Sequence, residues 1–185
     1  MPEPSPEHLK RQVIRLVHAR VDILCAAALA EELLQVSEQD ISYRAWGLLT
    51  GMVVSYARPF TTSYAYGALE EKWSKFDQRP DLEKHHARLL DHRKTLLAHN
   101  DLSPHRAVVV FPTGFVLESG EVVRRAVPTE GRSPIALEGI REVSELFAIQ
   151  EERMMERCLD LVRRLEEVEG WDPQEMVELN LDADV

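Results

Sequence analysis

Four long stretches in which apolar residues recur every three or four positions, punctuated by Pro59, Pro80 and Pro104, constrain this chain more than any other feature. That period is one face of an α-helix. The first stretch predicts a helix from His8 to about Ser37, with Val13, Leu16, Val17, Arg20, Leu24, Ala27 and Ala28 in its stripe. The second runs from about Ile41 to Arg58 and carries Trp46, Leu49, Val53 and Tyr56. Pro59 stops it, because the ring disfavours helical geometry at the residue before. The third opens at Pro80 or Asp81 and ends near His99 or Asn100, where Asn100-Asp-Leu-Ser-Pro104 turns the chain. The fourth runs from about Ile135 to Glu169 with Ile140, Val143, Phe147, Met154, Cys158, Val162 and Leu165 inward, and Gly170 caps it.

Between the third and fourth stretches the pattern changes. Val108-Val-Val-Phe111 and Glu121-Val-Val-Arg-Arg-Ala-Val127 are β-branched runs separated by Gly-containing turns. They predict a small β-hairpin or three short strands over 106–127, followed by a loop from Pro128 to Pro134. The expected fold is mostly α: a four-helix bundle over residues 8–170 with a small inserted β-hairpin. Residues 1–7 are Pro-rich and 171–185 acidic, and both read as flexible tails.

Composition narrows the function classes. The chain is 44% hydrophobic and 29% charged over 185 residues, which is the balance of a globular domain. Its apolar runs are too short to span a bilayer, and its N-terminus lacks the pattern of a secretory signal. Cys25 and Cys158 both fall in helical patterns, so two buried thiols in a reducing cytoplasm are expected. A net charge of −10 argues against nonspecific coating of nucleic acid but leaves room for a local basic site. Residues 171–185 hold five carboxylate side chains and no Lys or Arg, so the acid is concentrated away from Arg88, Arg93, Lys94 and Arg106.

The third helix concentrates the chemistry. Five of the seven histidines lie between 85 and 105. Taking Leu89 as zero, Arg93 projects at about 40°, between Leu96 at about −20° and Leu97 at about 80°. A charge in the middle of an apolar stripe must be paired or must line a wet pocket or interface. His85, His92 and His99 project along one edge of the stripe, and His86 beside Arg93. Successive members of that row are about 10.5 Å apart, too far to share one ion, so no metal site is expected. An arginine and a histidine suit phosphodiester chemistry: His99 can move a proton near neutral pH, and Arg93 can hold a phosphate. The two lie about 120° apart around the helix and about 9 Å along it, so one helix does not focus both on one phosphate, whereas two helices about a two-fold axis can. The structural alternative is a buried salt bridge at Arg93 and a helix-capping role for His99. Arg58, at a helix end before a proline, is either a phosphate ligand or a charge complementing the helix dipole. Phe60, Tyr64 and Tyr66 are read as packing residues, with base stacking as the alternative.

Arg93-Lys-Thr-Leu-Leu-Ala-His99-Asn-Asp101 resembles the R-x(4–6)-H signature of HEPN domains, and Tyr56-Ala-Arg-Pro-Phe-Thr61 resembles a YxRPFT stretch that ends the second helix in such proteins. The resemblance is closest to abortive-infection-type and uncharacterised HEPN-like bacterial proteins. It implies a homodimer with its site at the dimer interface and, in active members, a toxin or defence endoribonuclease that needs no metal or other cofactor. On this reading Arg93 and His99 take the catalytic roles, the surrounding Arg58, His92, Arg88 and Lys94 meet RNA or phosphate, and Asn100 and Asp101 support His99. An antitoxin partner protein is a further implication. Lys94 departs from the pattern, since active members often carry Asn, Asp or His after the arginine. The competing expectation is a non-catalytic helical dimerisation or protein-interaction module.

Overall fold

In a computed structural model the chain is described over residues 5–36, 43–62, 67–97, 106–110, 115–116, 122–123, 127–131 and 137–170. It divides into two compact units, one formed by Met1–Arg93 with Ala136–Val185, the other by Lys94–Ile135. The first is the helical bundle. Helix α1 spans Pro6–Leu34. The Ser5 side chain accepts a hydrogen bond from the His8 amide, and Pro6 occupies the first turn, where its missing N–H costs nothing. Helix α2 spans Tyr43–Ala57 and passes into a 3₁₀ turn, Arg58–Phe60, at the proline expected to end it. A second 3₁₀ turn, Glu71–Ser74, presents Trp73 to the core. Helix α3 spans Pro80–Leu97, its last turn from Lys94 falling in the second unit. Its expected end at His99 or Asn100 lies outside the described residues, as does Ser37 beyond α1.

In the second unit, β1 (Arg106–Val110) pairs antiparallel with β4 (Val127–Gly131), and β2 (Phe115–Val116) with β3 (Val122–Val123). This corrects the expected β-hairpin inserted in the bundle. The helical unit holds no strand among its described residues, and the extended segments form two separate ladders in a unit of their own. The outer ladder runs on through Pro128 to Gly131, where a loop was expected. A two-stranded ladder is all edge, so a proline that donates no hydrogen bond is tolerated there.

Helix α4 spans Leu137–Glu169. Gly170, at φ +67°, ends it with its amide donating to Glu166 O at 2.8 Å, a left-handed cap that favours glycine. Arg20–Glu151 and Lys10–Glu169 set α1 and α4 antiparallel, and Asp22–Arg58 and Glu32–Arg44 do the same for α1 and α2. At Gly51 an added Cβ would lie 3.1 Å from Leu29 Cδ1, so glycine lets α2 lie close on α1. The core collects Leu9, Val13, Leu16, Ile23, Met52, Val53, Tyr56, Leu82, Leu89, Phe147, Met154, Leu161 and Leu165.

Two expectations for α1 are corrected. Its buried stripe follows Leu9, Val13, Leu16, Ala19, Ile23, Ala26, Ala30 and Leu33, leaving Val17 and Leu24 exposed beside Val21. Cys25 is exposed and Cys158 half-buried, so the thiols are not both buried, and neither is disulfide-bonded. Among the described residues no helix is long and apolar enough to cross a membrane.

Candidate functional site

The buried face of α3 runs Leu82, His86, Leu89, with half-buried Arg93 continuing the same row. This is the i, i+3/i+4 spacing that stacks side chains on one helix face. His86 is the most constrained of its histidines. Tyr56 Oη and His86 Nδ1 share a hydrogen bond of 2.7 Å that joins the end of α2 to α3. Phe60 meets the imidazole edge-on at 4.7 Å, and Phe76 lies 6.4 Å away. Among the described residues Nε2 meets no hydrogen-bond partner. Burial, and then the nearby positive charge of Arg153, pull the His86 pKa from its ordinary 6.5 down to about 4, so the ring is neutral at physiological pH. The same burial pushes the Tyr56 phenol well above its usual range.

Of the residues singled out from sequence, Arg88 and Lys94 are exposed and His92 is half-buried. Burial, reinforced by Arg88, lowers the His92 pKa against the opposing pull of Asp91. Arg88 and His92 are therefore close enough on α3 to sense each other. His99, Asn100 and Asp101 lie outside the described residues, as do Tyr64 and Tyr66. Arg58 is held toward α1: its Nη1 donates to Asp22 Oδ1 at 2.7 Å, with the Arg58 side chain 52% and that of Asp22 10% exposed. Burial raises the Asp22 pKa, and the adjacent Arg58 works against that rise. The half-buried Phe60 ring packs against both Tyr56 and His86. His85 faces Glu142 at 3.6 Å. Among the described residues no three His, Cys, Asp or Glu side chains converge as a metal site would require.

Sequence reasoning missed a second cluster, on α4. Gln150, Arg153 and Arg157 follow one another at helical spacing along one face. Gln150 Nε2 donates to Trp73 O at 2.6 Å, and Arg153 Nη2 donates to Lys72 O at 3.0 Å, so both side chains satisfy carbonyls of the 3₁₀ turn. The Arg153 guanidinium lies over the rings of Trp73, at 5.4 Å, and Phe76, at 4.9 Å. The signal available was a row of Gln150, Arg153 and Arg157 at helical spacing on a helix rich in charge, which periodicity in apolar residues passes over. Asp22, an acid inside the α1 stripe, was a comparable signal for the partner of Arg58.

No family model matches the chain, and neither a curated protein nor a solved structure matches it.

Proposed function

We propose that this chain is a HEPN-like protein that binds RNA or a nucleotide through the Arg93 end of α3 and cleaves RNA without a metal. The observation that carries the reading is Arg93 itself, a half-buried cation in line with Leu82, His86 and Leu89 on a helix whose neighbouring His92 is shifted toward its neutral form. The Tyr56–His86 bond adds support, because it ties the helix carrying one of the two motifs to the helix carrying the other. In the proposed reaction a ribose 2′-hydroxyl loses its proton and its oxygen attacks the adjacent phosphorus. The bond to the 5′-oxygen breaks, leaving a cyclic phosphate and a protonated 5′-hydroxyl. His99 serves as general acid or base and Arg93 holds the scissile phosphate. Arg88, His92, Lys94 and Arg58 supply the phosphate-binding surroundings, while Asn100 and Asp101 orient His99. A homodimer brings two copies of the motif to one substrate, and an antitoxin protein is the partner such a toxin requires.

A non-catalytic interaction module is the second reading. It is favoured by the commitment of Arg58 to Asp22 and by the exposed row Val17, Val21 and Leu24 on α1. Cleavage of a mixed RNA pool in excess chelator, with wild type, Arg93→Ala and His99→Ala, separates the two. The nuclease reading expects cleavage by wild type that is lost in both folded variants. No cleavage by wild type, or equal cleavage by all three, selects the interaction module.

A further inference from the structure

An open groove of about 430 Å³ lies between the Glu71–Ser74 turn and α4, lined by Lys72, Trp73, Arg153, Glu156 and Arg157. Three of the five lining side chains are cationic, in a chain whose net charge is −10. Arg153 is the unusual member. It is half-buried, yet its two recorded hydrogen bonds go to neutral oxygens, Gln150 Oε1 at 3.2 Å and Lys72 O at 3.0 Å. Among the described residues it makes no close ion pair with a carboxylate, and burial lowers its pKa against the opposing charge of Asp77. Its stacking over Trp73 and Phe76 fixes the guanidinium plane, and a guanidinium has five N–H donors, so donors remain for an incoming anion. The flanking cations are held by exposed partners, Lys72 by Glu70 at 2.6 Å and Arg157 by Asp160. Such pairs are weak and exchange readily for a better acceptor. Glu156 is the one carboxylate in the lining, and it disfavours a ligand that carries only negative charge and makes no other contact.

We propose that this groove is a binding site for a phosphate monoester of mononucleotide size, separate from the Arg93 motif. The phosphate is held by Arg153 and Arg157 with Lys72 at the rim, and the organic part lies along the apolar wall beside Trp73. Pockets of this volume commonly take ligands of that size, and paired arginines present the donor geometry a phosphate accepts.

The test is a titration of the full chain, followed by amide and indole NMR shifts, with three probes: adenosine monophosphate, ribose 5-phosphate and inorganic phosphate. The proposal expects shifts centred on Trp73 and Arg153 with both esters and weaker ones with phosphate. Affinity should fall about tenfold in Arg157→Ser, and further in Arg153→Ala. Arg93→Ala should leave the shifts in place. Absence of shifts at Trp73 and Arg153 with all three probes to about 10 mM, or binding that survives Arg157→Ser and Lys72→Ala together, overturns it.

Discussion

Tyr56–His86 and Arg153 share a neighbour, the ring of Phe76, and are built in opposite ways. The Tyr56–His86 pair is enclosed: both residues are buried, they bond to each other, and the imidazole is held neutral. Arg153 keeps its charge at the rim of a groove, its donors shared between backbone, Gln150 and the open side. A buried imidazole can shed its proton, whereas an arginine cannot, so the arginine must stay where water or an anion reaches it. The difference teaches which polar groups build this bundle and which remain available for chemistry. Arg93 is half-buried on the same face as His86.

Substitutions on the enclosed side should cost the most stability. Phe147, fully buried with its ring 5.0 Å from that of Tyr56, is the largest test. Phe147→Ala is expected to lower unfolding free energy by about 3–5 kcal/mol in urea denaturation. A loss below about 1 kcal/mol would mean the enclosed side is not packed as described.

Next comes pH. Well above pH 6.5 His86 is neutral in both the folded and the unfolded chain. As pH falls from 6.5 toward 4 the unfolded chain binds that proton and the native chain does not, so stability declines through this window. The loss expected from His86 alone is about 3 kcal/mol. His86→Gln should flatten that part of the stability–pH curve. An equally steep curve in wild type and variant would break the assignment of His86 as a neutral buried group.

Tyr56→Phe keeps the ring and removes the hydroxyl bonded to His86 Nδ1. It should cost about 1–3 kcal/mol, measured by thermal unfolding, because the imidazole nitrogen is left unsatisfied. Val21→Ser marks the low end. Val21 is 56% exposed, so unfolding free energy at dilute concentration should move by no more than about 0.5 kcal/mol.

Much of the helical unit was legible in the sequence, and particular residues say why. Pro59, Pro80 and Gly170 mark helix boundaries by backbone chemistry that operates locally. The buried row of α1 was misassigned because that helix carries two apolar faces. Leu9, Val13, Leu16 and Ile23 lie on one, Val17, Val21 and Leu24 on the other, and periodicity alone does not say which meets a neighbour. The exposure of Cys25 follows from the same error. Strand pairing failed for a related reason. Val108–Val110 and Val122–Val123 announce extended chain, but their partners are set by register, and the outer ladder recruited Val127–Gly131. The candidate site divides similarly. Arg93 stood out as a charge in an apolar stripe, whereas the Tyr56–His86 bond and the stacking of Arg153 on Trp73 join residues 30 and 80 positions apart.

The most direct measurement is the affinity of a short RNA, 2′-O-methylated to block cleavage, for wild type, Arg93→Ala and Arg153→Ala at fixed salt. The account predicts that Arg93→Ala weakens binding by about tenfold, the cost of one well-placed phosphate contact, while Arg153→Ala leaves it within about twofold of wild type. RNA binding that is indifferent to Arg93→Ala, or that no variant including wild type displays, contradicts it.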